Sequence, residues 1–101
     1  MIKVLINQEE NNFISLEVKG HAGSGPKGHD LVCAAVSSTI TGGFNALEDV
    51  SNFEIKLDEG YALLRALKKV PSHDAIVIQT IICGLQTIEE NYGDFIQIKA
   101  E

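Results

Sequence analysis

A histidine and a cysteine stand twelve residues apart in this chain, His21 within Gly20-His21-Ala22 and Cys33 within Gly28-His29-Asp30-Leu31-Val32-Cys33-Ala34. Cysteine attacks a carbonyl carbon as its thiolate, and an ordinary thiol of pKa about 8.5 is only a few per cent ionised at neutral pH. This spacing offers two ways to change that. With Asp30 as a helix N-cap, Cys33 becomes the third helical residue. It then sits among N–H groups that lack intrahelical partners, at a helix end carrying roughly half a positive charge. His21 offers the second, as a base that takes the thiol proton and later returns it to a leaving amine. The same N–H groups would stabilise a tetrahedral oxyanion. The chemistry these residues point to is nucleophilic cleavage of an amide.

The neighbouring residues carry alternatives. Asp30 reads either as a cap or as a third group that orients His21, and a capping carboxylate three residues from the thiol would oppose its ionisation. Ser37 falls one turn beyond Cys33 on the same helical face, where it faces substrate or bonds back to its own helix. His29 competes with His21 as the base, or is a loop residue. His21, His29, Asp30 and Cys33 together include the ligand types of zinc, but their spacing matches no common finger or ribbon, so no metal site is assigned. Ala22, Gly23, Ser24, Gly25, Pro26, Lys27, Gly28 and His29 form a glycine-rich loop. It lacks the dinucleotide and P-loop patterns, and suits a segment that opens for a polypeptide and covers it. Cys83, in Ile81-Ile82-Cys83-Gly84-Leu85, reads as a core residue.

The elements that must position these groups follow from periodicity. Residues 2–7 alternate, with Ile2, Val4 and Ile6 on one face, and residues 12–20 alternate with Ile14, Leu16 and Val18 together. The polar stretch between them is a turn, so the pair is a hairpin that delivers Gly20 and His21 at its end. A first helix opens after Asp30 and buries Val32, Val36, Ile40, Phe44 and Leu47. Its Ala34, Ala35, Ser37, Ser38, Gly42 and Gly43 leave room for a close neighbour, whether sheet, second subunit or substrate. Phe53, Ile55 and Leu57 alternate in a third strand, Asp58-Glu59-Gly60 turns, and residues 61–66 return as a fourth. Pro71 and Ser72 open a second helix with the stripe Val77, Ile81, Leu85, Ile88 and Tyr92, stopped at Gly93. Residues 95–99 form a last strand whose place in the sheet the sequence does not give. The order ββαββαβ predicts an α+β two-layer sandwich, two helices on a mostly antiparallel sheet, in a single domain over residues 1–101. Phe44, Tyr61 and Tyr92 are candidate pocket linings.

Composition narrows the function. Net charge is −6, and Lys68-Lys69 is the one local basic cluster. Nucleic-acid binders draw most of their affinity from phosphate neutralisation, so direct nucleic-acid binding is disfavoured. An acidic surface suits a basic protein partner or simple solubility. No apolar run reaches membrane-spanning length and the N-terminus lacks a signal-peptide pattern, which predicts a cytoplasmic protein without membrane attachment. The two cysteines sit in unlike contexts and are expected to be free thiols.

At these motifs the chain resembles the bacterial ribosomal-processing cysteine protease family, Prp. The resemblance rests on Gly20-His21-Ala22, on Gly28-His29-Asp30-Leu31-Val32-Cys33-Ala34, on Ser37 and Asn45-Ala46, and on Leu85-Gln86-Thr87-Ile88-Glu89-Glu90. A glycine often follows Cys-Ala in that family, where this chain has Ala35. The resemblance implies a catalytic dyad of His21 and Cys33 supported by Gly20, Asp30 and Ser37. It also implies a homodimer that uses no cofactor. The implied substrate is a large-subunit ribosomal protein, from which an N-terminal extension is removed. The rival function is a non-catalytic binding module for ribosome assembly.

Overall fold

The structure, a computed structural model, describes residues 1–23, 25 and 30–101. β1 (Ile2–Glu9) and β2 (Asn12–Lys19) are joined by Glu10 and Asn11, whose φ angles of 49° and 66° place both in the left-handed region. Two consecutive positive φ values give the turn a twist that matches the flanking strands, and asparagine tolerates that conformation well. The hairpin register shifts between Asn7, opposite Ser15, and Gln8, opposite Phe13. Ile14 is the extra residue of this bulge. It is therefore exposed, while Phe13 packs against the core in its stead. Strict alternation through residues 12–20 had predicted the reverse.

α1 (Leu31–Asn45), β3 (Phe53–Asp58), β4 (Tyr61–Ala66), α2 (Ser72–Tyr92) and β5 (Ile96–Ala100) complete the order ββαββαβ, with one short 3-10 turn at Val50–Asn52. The sheet runs β3-β4-β2-β1-β5. Its first three pairings are antiparallel, and β5 lies parallel to β1, with Val4 opposite Ile98. The sheet is therefore mixed, and the strand that sequence could not place forms its far edge. Ile2, Val4, Ile6, Leu16, Val18, Ala62, Leu64 and Ile96 face both helices. The opposite face is polar, with a cross-strand Arg65–Glu54 pair at 2.6 Å.

α1 buries Val32, Val36, Ile40 and Phe44 as its periodicity requires, and Leu47 is buried just beyond the helix end. The stripe of α2 keeps Ile81 and Leu85 as expected but begins at Ile78 in place of Val77. Ile78, Ile81 and Leu85 are buried, Val77 and Ile88 are half-buried, and Tyr92 is exposed. Cys83 is exposed, not in the core, because it lies two residues beyond Ile81 and so points away from the sheet. The small residues of α1 meet α2. A Cβ on Gly43 would run into Ile81, and a Cβ on Gly84 would lie 2.9 Å from the Thr39 methyl. Asp74, fully buried in the first turn of α2, accepts the Glu48 and Asp49 N–H groups at 2.8 and 3.0 Å, tying the α1–β3 connection to α2.

Candidate active site

Three elements converge where β2 ends. Gly20 has φ +101°, and a Cβ there would lie 2.5 Å from the Met1 carbonyl oxygen, so only glycine lets the chain leave β2 along this path. Its N–H donates to the Gly60 carbonyl at 2.9 Å, holding the exit from β2 against the β3–β4 turn. His21 follows directly and its ring lies over that turn. A Cβ on Gly60 would come within 2.8 Å of His21 Nε2. Ala22 is buried, and its N–H donates to Cys33 Sγ at 3.2 Å. The residue after the histidine thus binds the sulfur directly.

Cys33 is the third residue of α1, as the sequence predicted, and it is half-buried. Asp30 caps the helix, accepting the Cys33 N–H at 3.0 Å. Opposing influences act on the Cys33 thiol. Burial pushes its pKa above the ordinary value, the Ala22 N–H pulls it down, and the Asp30 carboxylate pushes it up through its hydrogen bond and its charge. Among the described residues no hydrogen bond joins the His21 ring to Cys33. The net direction is upward, with burial the largest cause.

His21 and Cys33 border one cleft of about 770 Å³. Ser37 and Thr41 continue its α1 wall, and Leu57 and Tyr61 form part of the sheet side. Gly20, Gly23, Gly25 and Asp30 also reach it, whereas Ser24, Pro26, Lys27, Gly28 and His29 of the expected covering loop lie outside the described residues. Of the three candidate aromatic linings, Tyr61 is present, its hydroxyl donating to Glu17 at 2.7 Å, which raises its pKa. Phe44 is in the core and Tyr92 is exposed at the end of α2. Among the described residues, no three His, Cys, Asp or Glu side chains are grouped to hold a metal.

Sequence reasoning missed Thr41, Leu57 and Gly60. Thr41 was within reach, since it lies eight residues after Cys33 and so on the same helical face. Gly60 reads locally as a turn glycine. Its contact with His21 arises only because Lys19 pairs with Tyr61.

A family model described as "Cysteine protease Prp" matches residues 1–97. The chain belongs to the Prp family of cysteine proteases. The ribosomal processing cysteine protease Prp of Bacillus subtilis is 31% identical, covering 97% of this chain and 96% of the relative. That of Mycoplasma genitalium is 39% identical, covering 100% and 97%. A crystal structure of the essential ribosomal processing protease Prp from S. aureus, in complex with a covalently linked product peptide, superposes with a TM-score of 0.90. It is 30% identical, with both chains wholly covered. The resemblance seen in the motifs is borne out, and membership of a Prp protease family supports the hydrolase over the binding module.

Proposed function

We propose that this Prp-family protease is an endopeptidase acting in ribosomal processing, and that it removes the N-terminal extension of a large-subunit ribosomal protein. The Prp relatives carry ribosomal processing in their names, and one of them is known in complex with a substrate peptide. The observation that carries the site assignment is the Ala22 N–H to Cys33 Sγ contact, which holds the His21 segment against the sulfur in one cleft.

In this reading His21 takes the Cys33 proton as substrate fills the cleft and excludes water. The sulfur then attacks the peptide carbonyl carbon, forming a C–S bond while the carbonyl oxygen becomes an oxyanion. First-turn N–H groups of α1 other than the Cys33 N–H, which Asp30 occupies, stabilise that charge. His21 protonates the departing amine as the C–N bond breaks, and water hydrolyses the thioester. Gly20 sets the path to His21, Asp30 fixes the helix start, Ser37 contacts substrate and residues 22–29 cover it. No cofactor takes part. The acidic surface favours encounter with a basic ribosomal protein. The protein acts in the cytoplasm as a homodimer, without direct contact to nucleic acid or membrane.

The test is incubation with the extended ribosomal protein, followed by mass spectrometry of its N-terminus. Wild type cuts, while Cys33→Ala and His21→Ala do not. Cleavage by Cys33→Ala at the wild-type rate refutes the assignment.

A further inference from the structure

The two edges of the sheet are treated differently. At the β5 edge, Glu89 of α2 accepts the outward Ile98 N–H at 2.6 Å. At the β3 edge the pattern is set by register. Asp58 pairs with Tyr61, Lys56 with Leu63 and Glu54 with Arg65, and the Leu67 N–H donates to Asn52 O at 2.8 Å. Residues 52, 54, 56 and 58 therefore exchange hydrogen bonds with β4, and residues 53, 55 and 57 turn their backbone groups outward. The Phe53 N–H is used by Val50 O in the 3-10 turn. For Ile55 and Leu57, no hydrogen bond among the described residues takes up the outward N–H or C=O.

This open stretch runs into the active-site cleft. Leu57 and Asp58 line it opposite Cys33, Ser37 and Thr41, which lie on one face of α1. Leu57 is 52% exposed, although it shares a face with Ile55 and Phe53, which pack on the core. An extended chain laid beside β3 would hydrogen-bond Ile55 and Leu57 and place alternate side chains toward the α1 wall, with an apolar one against Leu57.

We propose that the polypeptide substrate binds by strand addition to the free edge of β3, its main chain paired with Ile55 and Leu57. This rests on the protease reading given above and adds how that substrate is held. Main-chain pairing supplies affinity for any extended segment, and the alternate side chains facing α1 supply selectivity. An exposed strand edge is otherwise a liability for self-association, and a transient peptide partner gives it a use.

The experiment uses a synthetic peptide spanning the junction between the extension and the mature N-terminus of a large-subunit ribosomal protein. Amide hydrogen exchange is followed by NMR in the Cys33→Ala protein with and without peptide. The Ile55 and Leu57 N–H groups are expected to slow at least tenfold, with Lys56 unchanged. In parallel, wild type is assayed on peptides methylated at one backbone nitrogen at a time. KM should rise fivefold or more at alternate positions and stay within twofold between them. A peptide that is cut but shows no alternation and no protection overturns strand addition. A peptide that protects Ile55 and Leu57 but is not cut overturns the protease assignment and leaves the edge site standing. A peptide neither bound nor cut overturns both.

Discussion

Gly60→Ala tests whether the placement of His21 sets the rate. A Cβ at Gly60 lies 2.8 Å from His21 Nε2 and 3.2 Å from Cε1. Ordinary contact begins near 3.4 Å, so the difference from 2.8 Å requires the ring to move by 0.6 Å. Displacements on the order of 1 Å in a reacting geometry cost on the order of a hundredfold. A shift of this size is expected to lower kcat by roughly tenfold, with a much smaller change in KM. Gly60 also has φ +72°, and a left-handed alanine costs about 1–2 kcal/mol of stability. Gly60→Asn separates the two effects, since asparagine tolerates that φ but carries the same Cβ. The assay is steady-state cleavage of the extended ribosomal protein alongside urea unfolding. Both variants should lose kcat alike while Asn retains more stability. A folded Gly60→Ala enzyme with wild-type kcat refutes the argument that the turn positions His21.

Cys33 should be alkylated later in a pH titration than an ordinary thiol, because its raised pKa leaves less thiolate at a given pH; exposed Cys83 is modified first. The folded chain holds this proton more tightly than the unfolded one, so the Cys33 contribution to stability declines as pH climbs from the ordinary thiol value toward the raised one. Asp30→Asn keeps an oxygen for the Cys33 N–H but removes the charge, and should speed Cys33 alkylation at pH 7.5 severalfold, whereas Asp30→Ala also loses the cap, about 1 kcal/mol in urea unfolding. Asp74→Ala strands two N–H groups and should cost about 2–4 kcal/mol by the same measurement, with Asp74→Asn losing less. Gly43→Ala drives a methyl into Ile81 and should cost about 1–3 kcal/mol, partly recovered when Ile81→Val shortens the opposing side chain.

What could be read from the chain was whatever periodicity and capping control. The alternation of Ile2, Val4 and Ile6, the stripe Val32-Val36-Ile40-Phe44 and the Asp30 cap each depend on residues close in sequence, and each is found in the structure. The position of Cys33 followed from the cap. What escaped was non-local. The parallel docking of β5 on β1 depends on where α2 returns the chain, and no local pattern encodes it. The bulge that exchanges Ile14 for Phe13 preserves the hydrophobicity of the strand while changing its faces. In α2, Val77 and Ile78 are adjacent apolar residues, and either starts a credible stripe. The structure turns Ile78 inward, one turn before Ile81, and leaves Val77 half-buried. The upward direction of the Cys33 pKa escaped for a related reason, since the helix end is visible in sequence but the burial of Cys33 is not.

A thiol whose pKa burial raises, with a capping carboxylate adding to the effect, presents less thiolate to reagents from solution. Peroxide and soft electrophiles react with the thiolate, so the raised pKa predicts slower oxidation of Cys33 to sulfenic acid than of a cysteine whose pKa is lowered. The same property bears on covalent inhibition. Warheads selected for general thiol reactivity should spend themselves on Cys83, which is exposed. A compound that occupies the cleft and draws the proton onto His21 would meet the nucleophile only after it is bound, and selectivity would then come from recognition and not from electrophilicity.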